Sequence, residues 1–258
     1  MKIQTIFFPA ALALVTACSE EGEGTLLTRI YGEAFIEEGI PADVFSDGWA
    51  VTFTRFIVVV DDIAAHAVKD GERYAFDLVP GSDGEGHEVT ELVVPEGAQA
   101  LEYRIAPGGA ADGGNAADAD AAMMADNGWS VFVEGSAAKD GASIAFAWGF
   151  DSTTEYSQCE VVESVPNGAD ATTVITIHSD HVFYDDLDSP EPNVSFDIVA
   201  ASDADMDGTV TSDELLARDI TAEARYQVGS RDITNLWDFM TAQTSTLGHI
   251  DGEGHCEF

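Results

Sequence analysis

Hydrophobic and polar positions alternate in short bursts along most of the chain. "WAVTFTRFIVVV" (residues 49–60) starts with Val51, Phe53, Arg55 and Ile57 on one face and Thr52, Thr54 and Phe56 on the other. It then becomes apolar on both faces, as a strand covered from both sides would be. "LLTRIYG" (26–32), "RYAFDLV", "HEVTELVV", "ALEYRIA" (100–106), "WSVFVEG" and "ASIAFAWGF" read as further strands. Between them stand turn signals such as "KDGE" (69–72), "GSDGEG", Pro95-Glu96-Gly97 and Lys139-Asp140-Gly141. "CEVVESV" and "ATTVITIH" read as one more pair, joined as a hairpin around Asn167-Gly168. Short strands at about ten-residue spacing predict a mainly β protein, an antiparallel β-sandwich of the Ig-like or Greek-key kind.

Two regions break this rhythm. Residues 116–126 predict one short helix, with Met123 and Met124 filling core gaps; Cu(I) ligation is the alternative for that pair. In the last sixty residues "NVSFDIVA" reads as a strand and "LLARDI" as helical. Residues 232–247 place Leu236, Phe239, Met240 and 243–247 at helical spacing, which predicts an amphipathic helix packed on the sheet, Trp237 included. The expected organisation is a signal segment (1–17), a tether (18–25), a β-sandwich domain (26–200) and a helical extension packed on it (201–258).

The first residues change the setting. Lys2 precedes a short apolar run, Ile3 to Val15, which ends in Val15-Thr16-Ala17-Cys18. This resembles a bacterial lipobox, in which Cys18 carries lipid and becomes the mature N-terminus. Ser19 after the cysteine resembles outer-membrane sorting, and "SEEGEGT" (19–25) reads as a solvated tether. The expected location is the bacterial envelope, with the protein anchored to the membrane through that lipid. Lys plus Arg number 10 against 48 Asp plus Glu, a formal charge of −38. Such a polyanion repels nucleic acid and attracts cations. A salt-adapted surface accounts for much of the charge, and no protein partner can be named from it.

Cys18 aside, two cysteines remain, Cys159 and Cys256. An oxidising compartment favours a disulfide between them, with two thiolate metal ligands as the alternative.

The sharpest chemical signal is "DADMDGTVTSDE", Asp203 to Glu214, which resembles an EF-hand calcium loop over all twelve positions. Asp203, Asp205 and Asp207 supply carboxylates at positions one, three and five, and Gly208 permits the sharp turn. Thr209 offers its carbonyl, Thr211 binds directly or through water, and Glu214 closes the site from two sides. With a strand expected before it, this is a lone loop–helix, of the weaker extracellular kind.

Histidines form a second constellation. His178, His181, His249 and His255 lie late in the chain. His87 joins them through a repeated block, "DGEGH" at 83–87 and 251–255. Imidazole suits copper or zinc rather than calcium. A regular strand would put His178 and His181 on opposite faces, so they share an ion only if Ser179-Asp180 bulges or turns. His66 reads as structural. No nucleophile elbow, HExxH, Walker loop or Rossmann glycine pattern occurs in the sequence.

"FTRFIVVVDDI", "LVVPEGAQALEYRIAP", "FAWGF" and "TIHSDHVFYDD" together resemble the MbnP-like, copper-associated lipoproteins of the bacterial envelope, over residues 31–186. The resemblance implies a β-sandwich holding copper through histidines near a tryptophan. It carries over Trp148, His178 and His181; the calcium loop and the "DGEGHC" tail lie outside that pattern. The expected function is therefore non-enzymatic: calcium binding, with copper or zinc held through histidines. A calcium-stabilised adhesion or structural module and a zinc hydrolase are the alternatives.

Overall fold

The alternation that begins at Val51 is interrupted at Thr54. In a computed structural model that describes residues 22–257, pairing with the neighbouring strand shifts register between Phe53 and Arg55. The extra residue is a β-bulge, and it exchanges the two faces. Phe53 and Phe56 therefore share the main core with Val58. Ile57 and Val59 face the opposite side, where the Arg55 guanidinium lies 4.8 Å from the Phe132 ring. The expected grouping of Phe53 with Ile57 is corrected by that one residue. The signal segment and Cys18 lie outside the described residues.

In chain order the elements are β1 (Glu23–Tyr31), α1 (Glu33–Glu37), β2 (Ala50–Ala65), β3 (Val68–Lys69), β4 (Arg73–Asp77), β5 (His87–Pro95) and β6 (Ala100–Ile105). There follow α2 (Asp118–Asn127), β7 (Val131–Lys139), β8 (Ala142–Phe150), β9 (Thr154–Glu160), β10 (Asp170–Ile177) and a 3-10 turn (Ser179–Phe183). The last third adds α3 (Asp197–Ala200), β11 (Thr209–Val210), α4 (Ser212–Ala217), α5 (Leu236–Gln243), a second 3-10 turn (Thr244–Thr246) and β12 (Gly248–Ile250). The smaller sheet runs β12-β10-β1-β5 and the larger β11-β8-β7-β2-β6-β9, with β3 and β4 also paired to β2. One hydrophobic core joins Leu26, Ile30, Leu92 and Ile175 of the first sheet to Phe53, Val133, Phe146 and Tyr156 of the second. Across the larger sheet, α2 covers Ile57, Val59 and Phe132 with a fully buried Met124, which fits the gap-filling role.

Several expectations need correction. The sheets are mixed rather than antiparallel, since β1 pairs with β10 and β11 with β8 in parallel. "CEVVESV" and "ATTVITIH" do not form a hairpin. β9 pairs with β6 in the larger sheet, while β10 lies in the smaller. Buried Val161 and Val165 carry the chain between the sheets, and Asn167-Gly168 turns it into β10 alongside β1. "NVSFDIVA" forms the short α3 instead of a strand, because Asp47 Oδ2 accepts the backbone N–H groups of Phe196 (2.7 Å) and Asp197 (2.8 Å) at its start. The helix expected over 232–247 is shorter, beginning after Asn235, whose side chain accepts the Asp238 N–H at 2.8 Å. The end of the expected tether, from Glu23, is already β1. The C-terminal extension is built into both sheets, through β11 at one edge and β12 at another.

Each of the nine Lys and Arg side chains among the described residues lies in an ion pair with a carboxylate. Asp61 is buried and accepts from two arginines, Arg73 at 2.6 Å and Arg104 at 2.8 Å. With the cations so engaged, the field outside the protein is that of the surplus carboxylates, and it favours cation capture.

A candidate metal centre built from three histidines

β10 ends at Ile177, and the chain tightens at once into the 3-10 turn Ser179–Phe183. This is the turn that the His178/His181 spacing requires. It puts the two rings 5.3 Å apart, centroid to centroid. The third histidine arrives from far along the chain. β12 pairs antiparallel with β10, with His249 opposite Thr176. His178, two residues beyond Thr176, is then its diagonal neighbour on the same face. The His178–His249 centroids are 4.4 Å apart and His181–His249 5.4 Å, which closes a triangle. Imidazoles that share a tetrahedral ion, with metal–nitrogen bonds near 2 Å, have centroids about 5 Å apart, and here the ligand atoms converge as two overlapping groups that share His178 rather than as one group of three histidines.

The hydrogen bonds fix which nitrogens are free. His181 Nδ1 lies 2.8 Å from the Thr246 carbonyl oxygen and 3.0 Å from its Oγ1. A carbonyl only accepts, so Nδ1 carries the proton and Nε2 keeps its lone pair. The second 3-10 turn, at the end of α5, supplies that acceptor. His249 Nδ1 is buried with no hydrogen-bond partner, and so is Asp180 Oδ1. Such orphaned atoms are costly unless a further partner exists. Asp180 Oδ2 accepts the Tyr184 hydroxyl at 2.9 Å, and the Tyr184 ring lies 4.5 Å from that of His181. Burial, then the neighbouring His178, lowers the His181 pKa to about 4. Burial, then His178 and His181, does the same for His249. Both rings are thus neutral, the form that binds metal.

Two carboxylates join the histidines, Asp180 and Glu253, the latter an acid of the second DGEGH block. Ligand atoms of His178, Asp180 and His181 lie within 4.8 Å of one another, as do those of His178, His249 and Glu253. Asp180 is flanked by histidines, which is a local signal. Glu253 belongs to the second DGEGH block, where Ile250 and Gly254 pair and Asp251 Oδ1 accepts the Val174 N–H at 2.8 Å. His255 sits at the rim, exposed, its ring 6.1 Å from His249. Cys256 forms a disulfide with Cys159, so the thiolate-ligand alternative is set aside.

Two expected members of this centre stand elsewhere. His87 lies in β5, separated from β10 by β1. Its ring stacks toward Phe76 at 6.4 Å, with Nε2 3.2 Å from the Pro80 carbonyl. The two DGEGH blocks are therefore separate turns on opposite edges of the smaller sheet. Trp148 is fully buried, donates Nε1–H to the Val210 carbonyl at 2.8 Å and stacks on Phe146 at 4.4 Å. It therefore supports the Asp203–Glu214 loop.

That loop is closed on itself. Glu214 accepts from Thr211 N and Ala204 N, both at 2.9 Å, which holds its carboxyl below the usual range. Asp203 Oδ2 accepts the Gly208 N–H at 3.0 Å, and Gly208 has φ +82°. Ligand atoms of Asp203, Asp205 and Glu214 lie within 4.8 Å of one another. Asp207 Oδ1 accepts the Thr209 N–H at 2.7 Å. A one-turn helix, α3, enters the loop where a strand was expected. Where a partner hand would pair at Val210, β8 of the larger sheet does so, Val210 against Phe146. Thr211 caps α4 in a reciprocal capping box with Glu214. Thr211→Ala should lower stability by about 1 kcal/mol in calcium-free urea unfolding.

No family model matches the chain, and no curated protein or solved structure shows a significant match to it. The class defined by fold and site is a mainly β protein of two mixed sheets with a three-histidine cluster at the edge of the smaller one.

Proposed function

We propose that this chain is a lipid-anchored protein of the bacterial envelope that binds calcium at Asp203–Glu214 and holds one divalent transition ion, copper or zinc, within the cluster of His178, His181 and His249 and the carboxylates Asp180 and Glu253. The observation that carries the second part is the imidazole triangle with its orphaned His249 Nδ1. The motif spacing and the convergence of Asp203, Asp205 and Glu214 support the first. The shared core supports reading the two sheets as a β-sandwich. His178 is 7 % exposed, which leaves little open face for a substrate and favours holding an ion over catalysis with it. A calcium-stabilised structural module without a transition metal is the second reading, favoured by the way β11 fastens the loop to β8.

Elemental analysis of protein purified from its native envelope separates the two. One copper or zinc per chain supports the first reading, and calcium alone supports the second. Calcium at about 10 mM should stabilise the protein by about 1.4–2.7 kcal/mol for a dissociation constant near 10⁻³–10⁻⁴ M. A melting curve unmoved by calcium and by chelators, with no bound transition metal, would remove both.

A further inference from the structure

The histidine cluster consists of two overlapping triads, His178–His249–Glu253 and His178–Asp180–His181. Their exposure differs at one member: Asp180 and His181 of the inner triad are partly buried, like His249, whereas Glu253 of the outer triad is exposed. Glu253 is exposed at the rim beside exposed His255, His249 is partly buried, and His178 is buried. Each triad contains one buried ligand atom without a hydrogen-bond partner, His249 Nδ1 in the outer and Asp180 Oδ1 in the inner. His178, the member common to both, has Nε2 3.4 Å from the Gly252 carbonyl of the outer tail and Nδ1 3.9 Å from Glu33 Oε2.

We propose that the two triads are successive stations for a single divalent transition ion. The outer triad takes the ion from solvent, and His178 passes it to the inner triad, where Asp180 completes its coordination. This rests on the transition-metal reading above. The physical reason is desolvation. An ion entering a buried site in one step must shed its water before protein ligands replace it, at high cost. A shared imidazole lets ligands be exchanged one at a time while the ion keeps partners. Zinc tolerates the fifth ligand that such an exchange requires. Each station also supplies one carboxylate, so the move changes neither the charge nor the imidazole count of the ligand set.

The test is zinc binding by the full chain against a chromophoric chelator, with calcium at about 10 mM to occupy the Asp203–Glu214 loop. Rates come from stopped flow and affinity from equilibrium competition. Glu253→Gln should slow both uptake and release about tenfold while the dissociation constant stays within about threefold. Asp180→Asn, which keeps the Tyr184 contact, should weaken equilibrium binding about 10–100-fold and leave the uptake rate near that of the parent. Should Asp180→Asn fail to fold, His181→Gln probes the same station. Equal losses of affinity in both variants with unchanged uptake rates, or two zinc ions per chain, overturn the relay while leaving the metal-holding function intact. No zinc bound by the parent protein overturns both.

Discussion

The Cys159→Ala/Cys256→Ala double variant should lose about 4–5 kcal/mol of unfolding free energy, since the bridge spans a sequence separation of 97. At this chain length the melting temperature should fall by about 10 °C or more. Both cysteines occupy structured positions: Cys159 is fully buried in β9 opposite Leu101, and the tail beyond Cys256 pairs with β9 through two Ser157–Glu257 backbone hydrogen bonds of 2.8 and 2.7 Å. The effect on the candidate metal centre should be small by comparison. Asp251 fixes the preceding turn independently, accepting from Val174 N and from Val162 N at 3.0 Å, and the Ile250–Gly254 pairing holds Glu253 in place. His255 loses its tether, but His178, His181 and His249 keep theirs. Urea unfolding followed alongside zinc competition separates the two quantities. A stability loss under about 1 kcal/mol would mean that the unfolded chain is already compact around this pair.

What could be read in advance was local. The convergence of Asp203, Asp205 and Glu214, the Asp140-Gly141 turn between β7 and β8 and the core role of Met124 each depend on residues within a dozen positions, where spacing encodes geometry. The Cys159–Cys256 pairing was legible for a different reason, since only two cysteines remained. Errors arose where a distant group overrode a local pattern. Asp47 turns the β-branched "NVSFDIVA" into a helix start, and one bulged residue at Thr54 exchanges the faces of β2. The hairpin expected at Asn167-Gly168 fails because β10 finds a parallel partner in β1, well over a hundred residues earlier. The histidine cluster shows both cases. His178 and His181 are neighbours in sequence, and the turn they need forms within the segment itself. His249 and Glu253 arrive only through the β10–β12 register, which no periodicity within either segment encodes. The repeated pentapeptide that links His87 to the late histidines reflects turn chemistry twice over.

Acid should destabilise the metal-free protein between pH 6.5 and about 4, with His181 responsible for a separable part. Its pKa falls from 6.5 to about 4 on folding, through burial first and the adjacent His178 second. In that window the unfolded chain holds a proton on this imidazole and the native chain does not, so lowering the pH favours unfolding. Stability is complete above pH 6.5, declines below it, and the decline ends near pH 4. At pH 4.5 the difference should be about 2–3 kcal/mol. His249 shifts the same way and adds to the trend. The surplus of carboxylates works in the opposite direction, because their protonation relieves self-repulsion in the compact state. That contribution is common to the parent and to His181→Gln, so the informative quantity is the difference between their pH profiles in urea unfolding. The parent should lose stability relative to the variant as pH drops from 7 to 4.5, with the gap closing again on the neutral side. Parallel profiles would mean that His181 titrates normally and is reached by water. The neutral-imidazole argument for the centre would then fail together with this prediction, since a ring that protonates at its ordinary pKa releases metal at mildly acidic pH.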